Sequence, residues 1–206
     1  MGRLMLERFR ATWAKIMSPI ADLFLKLGIS PDVITFVGTL GVTAGALWFY
    51  PRGEFFLGTV VITLFVFSDM VDGLMARKSG RSSAWGAFLD STLDRIGDAA
   101  VFGGLVLWYA GTGDDLLMTG VALWCLVGGQ LTSYARARAE SLGMEAKGGI
   151  AERSDRLVAV LAMTGLSGIF DLPVLRTIVL WTLAVASTIT VVQRILMVRR
   201  QALAQA

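Results

Sequence analysis

Six long apolar stretches, at roughly 32–50, 55–77, 85–110, 115–139, 154–170 and 173–197, constrain what this chain can fold into more than any other feature. A bilayer core needs about 20 mostly apolar residues wound as helix, and each stretch is near that length. Turn-like punctuation separates them: Tyr50-Pro51-Arg52-Gly53, Ser79-Gly80, Gly111-Thr112-Gly113, Gly148-Gly149 and Asp171-Leu172-Pro173. The composition agrees, with 55% hydrophobic and only 17% charged residues, where ordinary soluble domains carry about 25% charged. The chain therefore reads as an all-α integral membrane protein with six transmembrane helices. The fifth span is short, so it is expected to be tilted or shielded by its neighbours. No linker, repeat or low-complexity segment divides the sequence. Residues 1–206 are expected to form one membrane domain, with a juxtamembrane segment at 1–26 and a six-helix bundle at 32–197.

The first 20 residues contain Arg3, Glu7, Arg8, Arg10 and Lys15 and lack an uninterrupted apolar core, so they do not read as a cleavable signal peptide. Leu6, Phe9, Trp13, Ile16 and Ile20 recur at spacings of three and four, which sets an apolar stripe beside a basic face. That is the pattern of an amphipathic helix in the headgroup layer, or of a helix packed on the protein itself. Pro19 is expected to start or kink a second short piece. The single cysteine, Cys125, lies in an apolar run and permits no intramolecular disulfide. There is no histidine, which removes histidine metal ligands and histidine bases, so any catalysis must use carboxylates, lysine, arginine or hydroxyls.

With six spans, the N-terminus, the 78–84 loop, the 140–153 loop and the C-terminus share one side. All 19 Lys and Arg except Arg52 and Arg176 lie there or at the adjoining helix ends. The positive-inside rule places that side, and both termini, in the cytoplasm.

At that side the second span ends Asp69-x-x-Asp72-Gly73-x-x-Ala76-Arg77, and the third begins Gly86-x-x-x-Asp90-x-x-x-Asp94. Each set falls on one stripe of its helix. The short connection makes the two helices antiparallel neighbours. Asp69 lies about 12 Å from the level of Arg77, and Asp94 about 12 Å from that of Gly86, so the four carboxylates meet at similar depth. Like charges this close to hydrocarbon need a strong cation to stay ionised, and an all-oxygen set suits Mg²⁺ or Mn²⁺. Gly73, Ala76 and Gly86 leave room beside the backbone for phosphates, and Arg77 adds a fixed positive charge. Metal between carboxylates with arginine nearby is the apparatus of phosphoryl chemistry. The plainer reading pairs the aspartates with Arg77, Lys78, Arg81 and Arg95 at a polar helix end. Asp98, one turn further on, is either a group supporting the ligands or a helix-packing residue.

These eight positions and their gaps resemble the signature of the CDP-alcohol phosphotransferase family, with every position present. The resemblance implies a six-helix, usually dimeric membrane enzyme with its active site open to the cytoplasm. It implies a CDP-linked lipid donor, two divalent ions, and attack by an acceptor hydroxyl on the lipid-side phosphorus with loss of CMP. By that resemblance Asp69, Asp72, Asp90 and Asp94 are metal ligands, Asp94 is also the catalytic base, and Gly73, Ala76 and Arg77 contact the cytidine diphosphate. Arg81, Ser83 and Gly86 are grouped with them. Pro31-Asp32-x-x-Thr35 resembles the family's Pro-Asn-x-x-Thr element at the nucleotide, with Asp32 in place of the commoner Asn. Ordinary helix-start chemistry is the alternative for Pro31 and Thr35.

Arg136, Arg138, Arg153 and Arg194 return to the same face and are candidates for an acceptor phosphate, which guanidiniums suit. Headgroup anchoring is the alternative, above all for Arg138, Arg156, Arg199 and Arg200. Most of the chain resembles the family's bacterial branch that makes phosphatidylinositol phosphate. That implies CDP-diacylglycerol and inositol 1-phosphate as substrates, membrane lipids and a second copy of the chain as partners, no nucleic acid, and the bacterial inner membrane as location. A glycerol 3-phosphate acceptor is the nearest alternative, although the Gly-Lys-x-Lys-Thr stretch typical of such relatives is missing after span four. A metal or proton transporter is the rival of a different class. Against it, Glu54, Asp114, Asp115 and Asp171 fall in outer loops, and no acidic path crosses the spans. Gly41-x-x-x-Gly45, Gly103-Gly104 and Gly128-Gly129 permit close helix contact, within one chain or between two.

Overall fold

A computed structural model describes residues 17–80 and 83–205. Most of the expected N-terminal stripe, and Arg81 of the nucleotide residues, lie outside that range. Among the described residues every regular element is helical. They are α1 (described from 17 to 26), α2 (Pro31–Phe49), α3 (Phe55–Val66), α4 (Ser68–Ser79), α5 (Ala84–Ala110), α6 (Leu116–Ser141), α7 (Arg153–Phe170) and α8 (Pro173–Gln205).

The boundaries follow local chemistry. Pro31 opens α2, where its missing N–H is no loss, and Ser30 Oγ accepts from the Val33 amide at 3.4 Å. Gly53 (φ 77°) closes the Tyr50–Arg52 turn, and Gly80 (φ 65°) caps α4, both in the left-handed region that suits glycine. Asp115 caps α6 by accepting from the Met118 amide at 2.9 Å. The Asp155 carboxylate accepts from the Glu152 amide at 3.2 Å and fixes the first turn of α7. Pro173 then starts α8.

Among the described residues four segments, Pro31–Arg52, Phe55–Ser79, Leu116–Ser141 and Pro173–Ala204, are long and apolar enough to cross a bilayer, where the sequence led to an expectation of six. At the other two expected spans the chain is helical, as α5 and α7, but neither helix is apolar enough to be a span. Asp90, Asp94, Arg95 and Asp98 in α5, and Arg153, Asp155 and Arg156 in α7, make them too charged at one end to qualify on apolarity. The second expected span is divided at Phe67. Ser68 Oγ donates to the Phe65 carbonyl at 2.6 Å, competing for the acceptor that a continuous helix offers to the amide of residue 69. α8 has 33 residues, about 50 Å of helix against a hydrocarbon core of about 30 Å, so its C-terminal part extends past the apolar layer. Phe36, Leu64, Leu116, Val158 and Ile178 are among many large apolar side chains left exposed on these helices. Apolar helices with outward apolar faces are those of a multi-pass membrane protein.

The chain forms two compact units. One comprises the chain up to Ala44 with Val61–Gly97, the other Gly45–Val60 with Asp98 onward. In the first, Ala21, Val71 and Met75 form a buried cluster covered by Met17, Phe24, Leu25, Ile34 and Leu74. The described part of α1 is thus packed on α4, while Ile20, Leu23 and Leu27 stay exposed. Lys78 Nζ fastens it by donating to Ser18 Oγ at 2.5 Å and Asp22 Oδ1 at 2.6 Å. α2 approaches α3 and α4 through Gly38 and Gly41, where a Cβ would fall on the Ser68 side chain and in the Phe65 ring.

In the second unit α8 packs against α6 and α7. Gly128 makes way for Ser187, whose Cβ would lie 3.1 Å from a methyl there, and the buried Cys125 donates to the Leu180 carbonyl. Arg156 is buried and donates to Thr132 Oγ1 and to the Ala151 and Gly129 carbonyls. The α6–α7 loop is strapped to α8 by Thr190 Oγ1, which accepts from the Ile150 and Ala151 amides. Arg176 is held between the rings of Phe55 (3.7 Å) and Trp108 (4.6 Å) and donates to Ser167 at 3.0 Å.

Candidate functional site

In the first unit a cavity of about 280 Å³ opens where the start of α2, α4 and the start of α5 converge. Pro31, Asp32 and Thr35 come from α2, and Asp69, Asp72, Gly73, Ala76 and Arg77 from α4. Ser83, Gly86, Ala87 and Asp90 complete its wall. It gathers three of the four expected ligands and every described residue expected at the nucleotide. Asp94 is not among its lining residues. Ala87 was not singled out from sequence, although its place beside Gly86 at the start of α5 was the signal available.

Local structure explains how the wall is built. Asp69 stands in the first turn of α4, just after the break at Phe67, and Asp72 follows one turn on. The Asp72 carboxylate is only 6% exposed. Thr35, itself buried, donates to Asp72 Oδ2 at 2.5 Å, and its hydroxyl also lies 3.2 Å from the Pro31 carbonyl. The hydroxyl therefore fixes one oxygen of a carboxylate that has little water around it. Ser83 Oγ accepts from the Gly86 amide at 3.0 Å and caps α5. A methyl on Gly73 would stand 3.5 Å from the Arg77 guanidinium, and one on Gly86 would stand 3.5 Å from Ser83 Oγ and 4.0 Å from Asp32. A Cβ at either glycine would meet only these side-chain atoms, Arg77 at Gly73 and Ser83 with Asp32 at Gly86, at ordinary contact distance.

Asp90 and Asp94 are both near enough to Asp72 for their charges to bear on it. Asp94 lies 3.8 Å from the Arg95 guanidinium. Among the described residues no three carboxylates are drawn together as a ready-made cation cage. The donor set still fits a hard divalent ion. It is all carboxylate oxygen, partly desolvated, and three of its members share one wall. Outside the spans, the Asp22 carboxyl is held below the usual carboxylate range by its hydrogen bond from Lys78.

The four arginines expected at an acceptor phosphate are placed differently from one another. Arg136 is exposed and pairs with Glu140 at 3.0 Å, and Arg138 donates to Ser141 Oγ at 3.3 Å. Arg153 donates from Nε to both oxygens of Asp98, at 3.2 and 3.3 Å. Arg194 is 5% exposed and is tied to backbone, donating to the Gly148 carbonyl and to that of Thr132. Arg136 is near enough to Arg194 for the two charges to act on each other. The pairing of Asp98 with Arg153, and the part played by Thr132 and Thr190 around the loop, were not read from sequence.

Residues 28–189 match the model of the CDP-alcohol phosphatidyltransferase family. Over 207 residues the chain is 53% identical to a phosphatidylinositol phosphate synthase of Streptomyces avermitilis, an alignment covering 97% of this chain and 85% of that relative. Its fold superposes on the crystal structure of Mycobacterium tuberculosis phosphatidylinositol phosphate synthase with CDP-DAG bound, at a TM-score of 0.86 and 45% identity over 89% of this chain and 94% of the other. The structure of the same mycobacterial enzyme in complex with manganese and citrate gives a TM-score of 0.85 at 45% identity, covering 88% of each chain.

Proposed function

This chain belongs to the CDP-alcohol phosphatidyltransferase family, and from that premise we propose that it transfers the phosphatidyl group of CDP-diacylglycerol to inositol 1-phosphate, forming phosphatidylinositol phosphate and CMP. The observation that carries this reading is the single cavity in which Asp69, Asp72 and Asp90 share a wall with Gly73, Ala76, Arg77 and Gly86. The identity of the relatives supports the acceptor.

In this reading Asp69, Asp72, Asp90 and Asp94 hold divalent metal, two ions per site, Mg²⁺ or Mn²⁺. Manganese in the mycobacterial structure supports a divalent ion. Bound metal supplies charge neutralisation at the diphosphate. Arg77 adds positive charge to the same group, and Pro31, Asp32, Thr35, Gly73, Ala76, Arg81, Ser83 and Gly86 shape the nucleotide's place. The Asp94 carboxylate takes the proton of the acceptor hydroxyl. The hydroxyl oxygen forms a bond to the lipid-side phosphorus, and the bond from that phosphorus to the CMP oxygen breaks with the electron pair leaving on CMP. Arg136, Arg138, Arg153 and Arg194 receive the acceptor's phosphate.

The same proposal takes residues 1–206 as one membrane domain of six transmembrane helices, α5 and α7 supplying the third and fifth. It sets both termini and the site on the cytoplasmic side of the bacterial inner membrane, with the chain as a homodimer. Purified protein in lipid, given Mg²⁺ or Mn²⁺, CDP-diacylglycerol and a panel of acceptors, is expected to release CMP with inositol 1-phosphate. Release with glycerol 3-phosphate instead would reassign the acceptor. No release with any acceptor, alongside metal uptake into sealed vesicles, would replace the enzyme with a transporter.

A further inference from the structure

We propose that Asp98 is a positioning residue for the acceptor phosphate, acting through Arg153. The inference rests on the reading above that Arg153 receives that phosphate. It begins from an anomaly in α5: Asp98 is a carboxylate only 8% exposed, four residues beyond Asp94 in the same helix and not needed to complete the motif. A buried carboxylate is costly unless a cation answers it. The cation is Arg153, whose Nε donates to both Asp98 oxygens at 3.2 and 3.3 Å.

The backbone that carries Arg153 is fixed already. Arg153 is the first residue of α7, where Asp155 closes the turn on the Glu152 amide. The preceding Ile150 and Ala151 amides are pinned to Thr190 on α8. What remains variable is the long side chain of Arg153, and the Asp98 contact restrains it. The helix N-terminus at Arg153 adds a favourable dipole for an anion. A carboxylate that only tied α5 to α7 would serve stability alone, whereas one that orients an anion-binding arginine also sets acceptor affinity.

Immobilising one rotamer-rich side chain is worth up to about tenfold in binding. Asp98→Asn is therefore expected to raise the KM for inositol 1-phosphate about tenfold while the KM for CDP-diacylglycerol changes by less than about twofold. Its effect should be strongly non-additive with that of Arg153→Gln, because both act on one interaction. Asp98→Glu, which keeps the charge but shifts it by a methylene, should restore part of the acceptor KM. If Arg153→Gln raises the acceptor KM and Asp98→Asn lowers only the unfolding temperature, Asp98 is a packing tie and the inference is overturned. If Arg153→Gln leaves acceptor kinetics unchanged, the inference falls with the reading it rests on. Should Asp98→Asn not fold, Asp98→Glu carries the same test: a selective rise in acceptor KM supports the proposal, and an unchanged KM overturns it.

Discussion

Thr35 donates a 2.5 Å hydrogen bond to Asp72, so a residue at the start of α2 fixes a carboxylate on α4. Both partners are more than nine-tenths buried. Groups that hold a metal ligand from behind change affinity or activity by about 10- to 100-fold when removed. Thr35→Val, close in shape but without the hydroxyl, is expected to lower CMP release within that range and to raise the Mg²⁺ or Mn²⁺ concentration needed for half-maximal rate. Thr35→Ser should keep most of the activity. Metal titrations of the two variants side by side check this.

Asp94 is set apart from the other three aspartates, since it does not line the cavity that they share. If it is the base, Asp94→Asn should leave CDP-lipid binding nearly intact and reduce turnover by about 10²- to 10⁴-fold. Isothermal titration with CDP-lipid beside the CMP assay separates the two effects. Loss of CDP-lipid binding would make Asp94 chiefly a ligand.

The glycines divide by what stands opposite them. A methyl on Gly38 collides with Ser68 in the packed contact of α2 with α4, so Gly38→Ala should destabilise the protein by about 1–3 kcal/mol. A methyl on Gly73 or Gly86 enters the cavity at ordinary contact distances. Those alanine variants should unfold at nearly the wild-type temperature and yet lose CDP-lipid binding. Thermal unfolding and lipid binding, measured on all three, test the division.

Most of the cavity was legible in the sequence because its α4 and α5 residues follow helix spacing within two short segments only eight residues apart. Two stripes, Asp69 to Arg77 and Gly86 to Asp94, can face each other only one way. The span ends were legible for a similar reason, since Pro31, Gly53, Gly80 and Pro173 act locally on the backbone. The break at Phe67 was not legible, because Phe67-Ser68 is compatible with helix and the diversion of the Phe65 carbonyl to Ser68 shows only in three dimensions. The Asp98–Arg153 pair joins residues 55 apart in sequence, and no local spacing predicts it. The role of Arg194 depended on the path of the loop, where Gly148 (φ 90°) and Gly149 (φ 135°) turn a backbone carbonyl to the guanidinium.

Asp22 and Lys78 fasten α1 to α4 through an exposed ion pair. Asp22 has its folded-state pKa lowered, so the contribution of the pair is present above the unfolded value near 3.9 and is lost as pH falls through the lower folded value. Amide exchange over residues 17–26 should therefore accelerate below about pH 4, and in Asp22→Asn or Lys78→Met at neutral pH. Because the pair is exposed, high salt should weaken it as well. Equal exchange in wild type and variants would show that the apolar cluster around Ala21 holds α1 unaided.

Arg136 and Arg194 present the same charge in opposite settings, and their substitution should divide binding from architecture. Arg136 is exposed and bonded to Glu140, so Arg136→Gln should raise the KM for inositol 1-phosphate and leave the unfolding temperature almost unchanged. Arg194 is buried and donates to the Gly148 and Thr132 carbonyls, which lose their partner if it is truncated. Each buried acceptor left unsatisfied costs about 1–3 kcal/mol. Arg194→Ala should therefore lower stability measurably and loosen the α6–α7 loop. Arg194→Gln, which retains a donor, should fall between wild type and alanine. An acceptor KM that rises for Arg194→Gln while amide exchange at residues 145–151 stays as in wild type would make Arg194 a direct phosphate ligand. Faster exchange there, with a parallel rise in KM, would mean that it acts by holding the loop that presents Arg153.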